Sequence, residues 1–370
     1  MAGVDGRIRD LARVYAEEGY VVAVPDLFWL SGIETQDIAG SLLDWEFWFF
    51  QDDLIESGAL GAVTPPLALE PALEDVEHTL DALRGHEACT GRVAVVGYGL
   101  GATLAVFAAA RLDVDAAVAY DPAGLRRALP ELQRRSAPLL VQAGLRDTPD
   151  WIEKLERFRD AAAALPSVTV LLLDEPCDFA LAGPDGGEPG VLRAHSRTIA
   201  HLRRAIGPCF DIEKSWDAHL SALFEHRDAD LAMRSVARDP SIYFVPTVSG
   251  ARGTVAVREL YERGIIPALP ASLRIRTVSR TIGPDRIVDE VVLGFTHDHF
   301  MSFLLPGIDP TGRRVELPLV LSATFRGDRI WRQQVYWDQA SLLAQIGRLD
   351  AHALPVAGVE EALSLLAPMH

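Results

Sequence analysis

The feature that most constrains the fold is a change of periodicity at Gly207-Pro208. Before it, short, almost purely apolar runs alternate with helical patterns. Tyr20–Asp26, Arg92–Gly97, Ala116–Tyr120, Pro138–Ala143 and Val168–Leu173 read as strands. Arg7–Glu18, Leu73–Leu83, Ala102–Ala110, Trp151–Leu165 and Val191–Ile206 read as helices. Strands without a polar face need cover on both sides, and helices between them make them parallel, so this part predicts a doubly wound α/β domain. After Gly207 the order changes. Ser215–Ala237 reads as one long amphipathic helix and Thr254–Ile266 as a second. Long strands with short turns follow at Ile275–Ile282, Ile287–Phe303, Val315–Phe325 and Ile330–Trp337, then helices at Ser341–Ile346 and Val359–Leu366. Helices followed by antiparallel strands predict an α+β domain with a curved sheet. The expected division is a first domain over 1–207, a second over 211–349, and a C-terminal tail or helix over 350–370.

Composition narrows the partners. The 370 residues, 49% of them hydrophobic, can fill a large core, and a formal net charge of −17 repels phosphate backbones and anionic lipid. Nucleic acid and membrane are therefore not expected partners, and the acidity serves solubility. Cys89, Cys177 and Cys209 are odd in number and far apart, which argues against a disulfide framework and a zinc knuckle. No apolar run reaches the length of a membrane span, and the N-terminal residues are charged from Asp5 onward without a signal-peptide core, so a cytoplasmic location is expected. Phe28–Leu69 is a long aromatic excursion containing Trp45, Phe47, Trp48, Phe49 and Phe50; no Lys or Arg occurs between Val14 and Leu83.

Val93–Ala102 is a strand, a sharp glycine turn and a helix. In α/β-hydrolases such a turn reads G-x-S-x-G or G-x-C-x-G, with the nucleophile at its strained centre. Here the frame is Gly97-Tyr98-Gly99-Leu100-Gly101, and Gly99 has no side chain to attack anything. The same letters, Gly97-x-Gly99-x-x-Ala102, also fit the loose dinucleotide fingerprint, with Asp121 about where a ribose-binding acid would stand.

The first domain resembles the dienelactone hydrolase family over roughly Gly3 to Ile206. Gly19–Leu27 looks like the family's strand and following loop, Gly97–Ala102 like its nucleophile elbow, Ala143–Asp147 like the turn bearing the acid of its Cys-His-Asp triad, and Asp174–Phe179 like the segment bearing the histidine. Carried onto these positions, the nucleophile is Gly99, the acid is Asp147, and the histidine falls at Cys177, or at Asp178 if the gap shifts. Loss of nucleophile and base together implies loss of acyl transfer. Cys177 as a relocated nucleophile has two acidic neighbours, which disfavour thiolate. The arginine that grips substrate in the family would fall in the arginine-free stretch. The resemblance also implies a strand before Arg7, of whose loop Met1-Ala-Gly-Val looks like a remnant: the strand was lost, or the polypeptide starts upstream of Met1.

The second domain resembles the SnoaL-like branch of the cone-shaped fold shared with nuclear transport factor two and ketosteroid isomerase, over roughly Asp211 to Leu349. The matching pieces are Glu225–Leu231, Gly253–Arg258, Leu305–Gly312 and Ile330–Trp337 followed by Asp338–Leu343. Asp338 stands where the cyclases carry an acid/base aspartate; desolvated at the end of a strand it would have a raised pKa, but an aspartate there also suits a helix N-cap. His297 and His299, two apart on one expected strand, share a face and are candidate bases or solvated histidines. An H-x-H metal pair lacks further ligands, and none is expected. Asp228 and Asp230 fit a solvated helix face. Tyr243, Phe295, Tyr336 and Trp337 are expected to line the pocket. The expected function is a hydrolase half without its nucleophile, fused to a domain that binds a small hydrophobic carbonyl compound and moves protons by cyclisation, isomerisation or dehydration, without a cofactor. The alternatives are a non-catalytic binding or scaffold protein and a hydrolase with rearranged residues. A homodimer is expected by analogy with the fold.

Overall fold

A computed structural model describes residues 4–27, 69–350 and 358–366. The aromatic cluster Trp45–Phe50 lies outside the described residues. The chain divides into two compact units, Met1–Cys209 and Phe210–His370.

In the first unit the described strands are β1 (Ala94–Tyr98), β2 (Ala116–Tyr120), β3 (Leu139–Arg146) and β4 (Val168–Pro176), paired in parallel in that order. The helices are α1 (Gly6–Glu17), α2 (Leu69–Arg84), α3 (Leu100–Arg111), α4 (Leu125–Arg134), α5 (Pro149–Ala162) and α6 (Pro189–Ile206). Alternation along β2 sorts them. Ala117 and Ala119 pack with α2, α3, α4 and α5, whereas Ala116, Val118 and Tyr120 pack with α1 and α6. Adjacent strand residues point to opposite faces, so the sheet is covered on both. Ala102, Ala105, Ala108 and Ala109 of α3 are wholly buried; without bulk on that helix its backbone sits close to β1 and β2.

Two expectations for this unit are corrected. Helix α4 is absent from the sequence reading because Pro130 lies inside it and reads as a breaker, yet Leu125, Ala128 and Leu132 recur at helical spacing and are buried. Tyr20–Asp26 is not a buried strand: it joins no ladder with any described strand, and Val21, Val22 and Val24 are 40%, 37% and 37% exposed. A valine-rich run becomes a strand only if a neighbour supplies the other half of its ladder.

In the second unit, α7 (Ile212–Phe224) and α8 (Ala229–Met233) precede β5 (Val236–Phe244) and β6 (Ser249–Arg252). Then come α9 (Thr254–Glu259), extended by a π-helical turn over Leu260–Ile265, β7 (Arg274–Ile282), β8 (Arg286–Thr296), β9 (Arg314–Arg326), β10 (Arg329–Trp337), α10 (Gln339–Gln345) and α11 (Val359–Leu366). The strands form one sheet in the order β6-β5-β10-β9-β8-β7, antiparallel except for the β10–β5 pair. The single long helix expected over Ser215–Ala237 is corrected. It stops at Phe224, Arg227 turns through φ 55°, Asp228 caps α8 by accepting the Leu231 N–H, and Val236 already starts a strand. Helix α7 is tied to the sheet by a buried carboxylate: Asp289 takes two bonds from Arg280, 2.7 and 2.9 Å, and one of 2.8 Å from the Trp216 indole. Among the described residues, no helix is long and apolar enough to cross a membrane.

Candidate functional site

Parallel strands deliver their following loops to one end of the sheet, and in the first unit that end carries the chemistry-bearing residues. Gly99 sits between β1 and α3 at φ 52°, ψ −117°, a conformation open to glycine at little strain. The residue at the centre of this strand-to-helix turn carries no side chain. Beyond β2, Asp121 is 5% exposed, and its two carboxyl oxygens accept the backbone N–H groups of Gly144, at 2.8 Å, and Asp178, at 3.0 Å. Beyond β3, Asp147 is exposed and accepts the Thr148 N–H at 2.6 Å. Beyond β4 stand Cys177 and Asp178.

The structure brings Asp121, Cys177 and Asp178 together, with one ligand-type atom of each within 4.8 Å of the others. Burial, with the nearby charges of Asp178 and Asp147 and against the two N–H bonds, raises Asp121 to about 7. Burial, followed by the charges of Asp121, Asp178 and Asp147, pushes the Cys177 thiol far up, so it stays protonated. A protonated thiol is neither a nucleophile nor a good cation ligand, and both oxygens of Asp121 are already engaged. Neither a metal nor a ribose hydroxyl is assigned to this cluster. No hydrogen bond links Asp147 to Cys177 or to Asp178.

In the second unit the expected residues separate. Trp337 and Phe295 are buried in the core with Val335, Leu293 and Val315. Tyr243 and Tyr336 are each 41% exposed, so their expected pocket-lining role is corrected. Asp338 has the parity of Tyr336 and Gln334, as expected, but that is the solvent side of β10; Gln333, Val335 and Trp337 point inward. Asp338 caps α10, accepting the backbone N–H groups of Ala340 and Ser341 and the Ser341 hydroxyl at 2.6 Å. Partial burial works to raise its pKa, but these bonds outweigh it and hold the carboxyl below the ordinary aspartate value, the reverse of the expected direction. Asp338→Ala should therefore remove about 1 kcal/mol of stability, and an NMR titration of the carboxyl carbon should give a midpoint below that of an unperturbed aspartate. A midpoint above it would restore the acid/base role.

His297 and His299 do not share a face, because β8 ends at Thr296. His297 is wholly buried; its Nδ1 meets the Thr311 hydroxyl at 3.2 Å and its Nε2 has no partner. Burial lowers its pKa. His299 is half-buried and pairs with Asp298 at 2.6 Å. No hydrogen bond joins either histidine to Asp338. Asp230 pairs with Arg258 on the surface.

The buried polar group that sequence reasoning missed is His219. It follows Trp216 on the buried stripe of α7, between the sheet and the π-helical turn, and is itself fully buried. The Ser235 hydroxyl donates to the Ala232 carbonyl at 2.7 Å. It therefore accepts from His219 Nδ1, 2.8 Å away, which also faces that carbonyl at 3.3 Å. This puts the ring proton on Nδ1 and leaves the Nε2 lone pair toward the Gln333 amide at 3.2 Å and the Tyr261 hydroxyl at 3.4 Å. Gln333 also donates to Tyr261 at 2.9 Å. Burial lowers the imidazole to about 4, against the Ala232 carbonyl, so it is neutral at pH 7. The signal was available: a histidine at i+3 from a buried tryptophan on an apolar stripe, and a glutamine sharing parity with Val335 and Trp337.

The dienelactone hydrolase family model matches residues 1–167. A carboxymethylenebutenolidase from Pseudomonas sp. strain P51 is 26% identical over 203 residues, 55% of this chain and 80% of that protein. One from Pseudomonas putida is 28% identical over 145 residues, 39% of this chain and 56% of that protein. Solved structures similar to the other part of the chain have the ketosteroid isomerase-like, SnoaL-like and NTF2-like folds. One is a protein with a ketosteroid isomerase-like fold from Catenulispora acidiphila, in complex with trimethylamine (17% identity, 39% of this chain, 98% of that chain, TM-score 0.30). Another is an NTF2-like protein of unknown function from Burkholderia pseudomallei (16% identity, 37% of this chain, 98% of that chain, TM-score 0.30).

Proposed function

We propose that the first unit has lost acyl-transfer chemistry and that the second binds a small hydrophobic carbonyl compound, its sheet curving round the ligand as a cone, and moves a proton on it with His219 as the base. The observation that carries this reading is the neutral imidazole, oriented by Ser235, whose lone pair faces a tyrosine hydroxyl and an amide inside an apolar core. Such a set suits enolisation. Nε2 takes a proton from carbon beside a carbonyl, and the electron pair moves onto the oxygen, where Tyr261 O–H and Gln333 N–H can bond to it. Return of the proton to another carbon is isomerisation; transfer to a departing hydroxyl is dehydration. An imidazole near pKa 4 is a weak base, but an oxyanion forming beside it raises its proton affinity during the step.

The test is deuterium exchange at the α-carbons of cyclohexanone, followed by NMR with the full chain. His219→Gln should lower the exchange rate at least about a hundredfold, whereas Asp338→Asn and His299→Ala should leave it unchanged. Exchange that survives His219→Gln and disappears in Asp338→Asn would overturn the assignment; ketone binding without exchange would make the unit a binding module. The first unit should turn over neither a dienelactone nor p-nitrophenyl acetate above background. Hydrolysis abolished by Cys177→Ala would show a rearranged hydrolase instead.

A further inference from the structure

We propose that a groove beside β1 receives one extended peptide segment, apolar on both faces, which completes the sheet of the first unit. The groove has a volume of 390 Å³, and its walls include every residue from Arg92 to Tyr98 on one side and from Gly19 to Pro25 on the other. Successive strand residues point to opposite faces, so a cavity touching all of them lies at the strand's edge, in the plane of the sheet. One face is closed by Leu11 of α1 and Leu202 of α6, the other by Val76 and Leu80 of α2 and Leu104 of α3.

The backbone defines what fits. Tyr98 lies opposite Tyr120, and Gly99 donates to the Tyr120 carbonyl at 2.9 Å. In a parallel ladder this commits the odd-numbered residues of β1 to β2 and turns the N–H and C=O groups of Ala94, Val96 and Tyr98 to the groove. Across it, Val21–Pro25 make no backbone hydrogen bond to any described residue. Two extended backbones whose groups facing one gap bond to no described residue across it, with apolar cover above and below, match the continuation of the β1–β2 ladder by one more strand. A small apolar molecule could bury the same side chains but would leave those backbone groups unpaired, at about 1–3 kcal/mol each where water is excluded. Both covering faces are apolar, so the segment must be uncharged on both.

The probe is a fluorescein-labelled peptide, Lys-Val-Ile-Val-Ile-Val-Ala-Lys, titrated against the full chain by anisotropy, with amide hydrogen exchange read in parallel. Binding should slow exchange at Ala94, Val96 and Tyr98. Val96→Pro removes a donor aimed at the groove without touching the β2 ladder, and proline is tolerated where a strand's N–H faces outward. It should weaken the peptide about tenfold or more, the worth of one hydrogen bond, while anilinonaphthalene sulfonate, which needs no ladder, binds as before. No binding, or equal binding by Val96→Pro, overturns the proposal; in the second case the groove takes apolar molecules by burial alone. If Val96→Pro does not fold, the same segment joined ahead of Met1 through a Gly/Ser linker decides: it should raise the melting temperature, and an alternating Lys-Asp segment should not. Equal melting temperatures overturn the proposal.

Discussion

Gly97→Ala should destabilise the first unit by about 4 kcal/mol or more, the range reserved for a steric fault that the core cannot relax around. A Cβ built on Gly97 would meet the Gly101 carbonyl oxygen at 1.9 Å and the Ala102 nitrogen at 2.6 Å. Both are backbone atoms of the first turn of α3, so no side-chain rotation relieves the clash. That helix would have to move off β1, opening contacts made by fully buried alanines. Denaturant unfolding of the full chain, with exchange at Ala119 and Val141 reporting the first unit, measures the effect. A loss below about 1 kcal/mol would mean that the turn between strand and helix is not packed as described.

The stability of the first unit should fall by up to about 4 kcal/mol as the pH rises from about 4 to about 7, and then level off. The cause is Asp121, whose carboxyl is raised from 3.8 to about 7, mainly by burial. Between those values the folded unit holds the proton and the unfolded chain releases it, so each increment of pH favours unfolding; above about 7 both states are ionised and the slope vanishes. Asp121→Asn removes this titration. One of the two backbone N–H groups, of Gly144 or Asp178, then loses its acceptor, which shifts the whole curve without adding a slope. The wild-type minus variant difference across pH therefore isolates the carboxyl, and parallel curves for the two proteins would exclude the raised value.

Much of the architecture is legible in the residues. Ala116–Tyr120 and the apolar run from Leu139 could be nothing but strands covered on both faces, since every residue in them is apolar or small up to Gln142. That Gly99 has no side chain is a statement of composition, and no fold could reverse it. The periodicity of β10 was equally clear, but its phase was not. Alternation tells that Tyr336 and Asp338 share a face and that Val335 and Trp337 share the other; it does not tell which face the helices cover. The expected catalytic role of Asp338 and the lining role of Tyr336 both rested on that choice of face.

Sequence by itself determined the types of most elements, the two-part organisation of pattern and the lack of a side chain at Gly99, because these follow from local periodicity and from what a side chain contains. Only the tertiary structure decided which polar groups became desolvated and which found partners. Asp338 and His219 are each a short polar step in an apolar pattern. One is exposed and held as a carboxylate by Ala340 and Ser341; the other is sealed between a helix, a π-helical turn and a strand, with its proton placed by Ser235. Tyr20–Val24 has the composition of a strand and yet joins no ladder among the described residues, because a β-ladder belongs to two segments and its second half cannot be read from the first. Protonation, pairing and pocket are properties of what surrounds a residue, and those surroundings are contributed by residues far away in the chain.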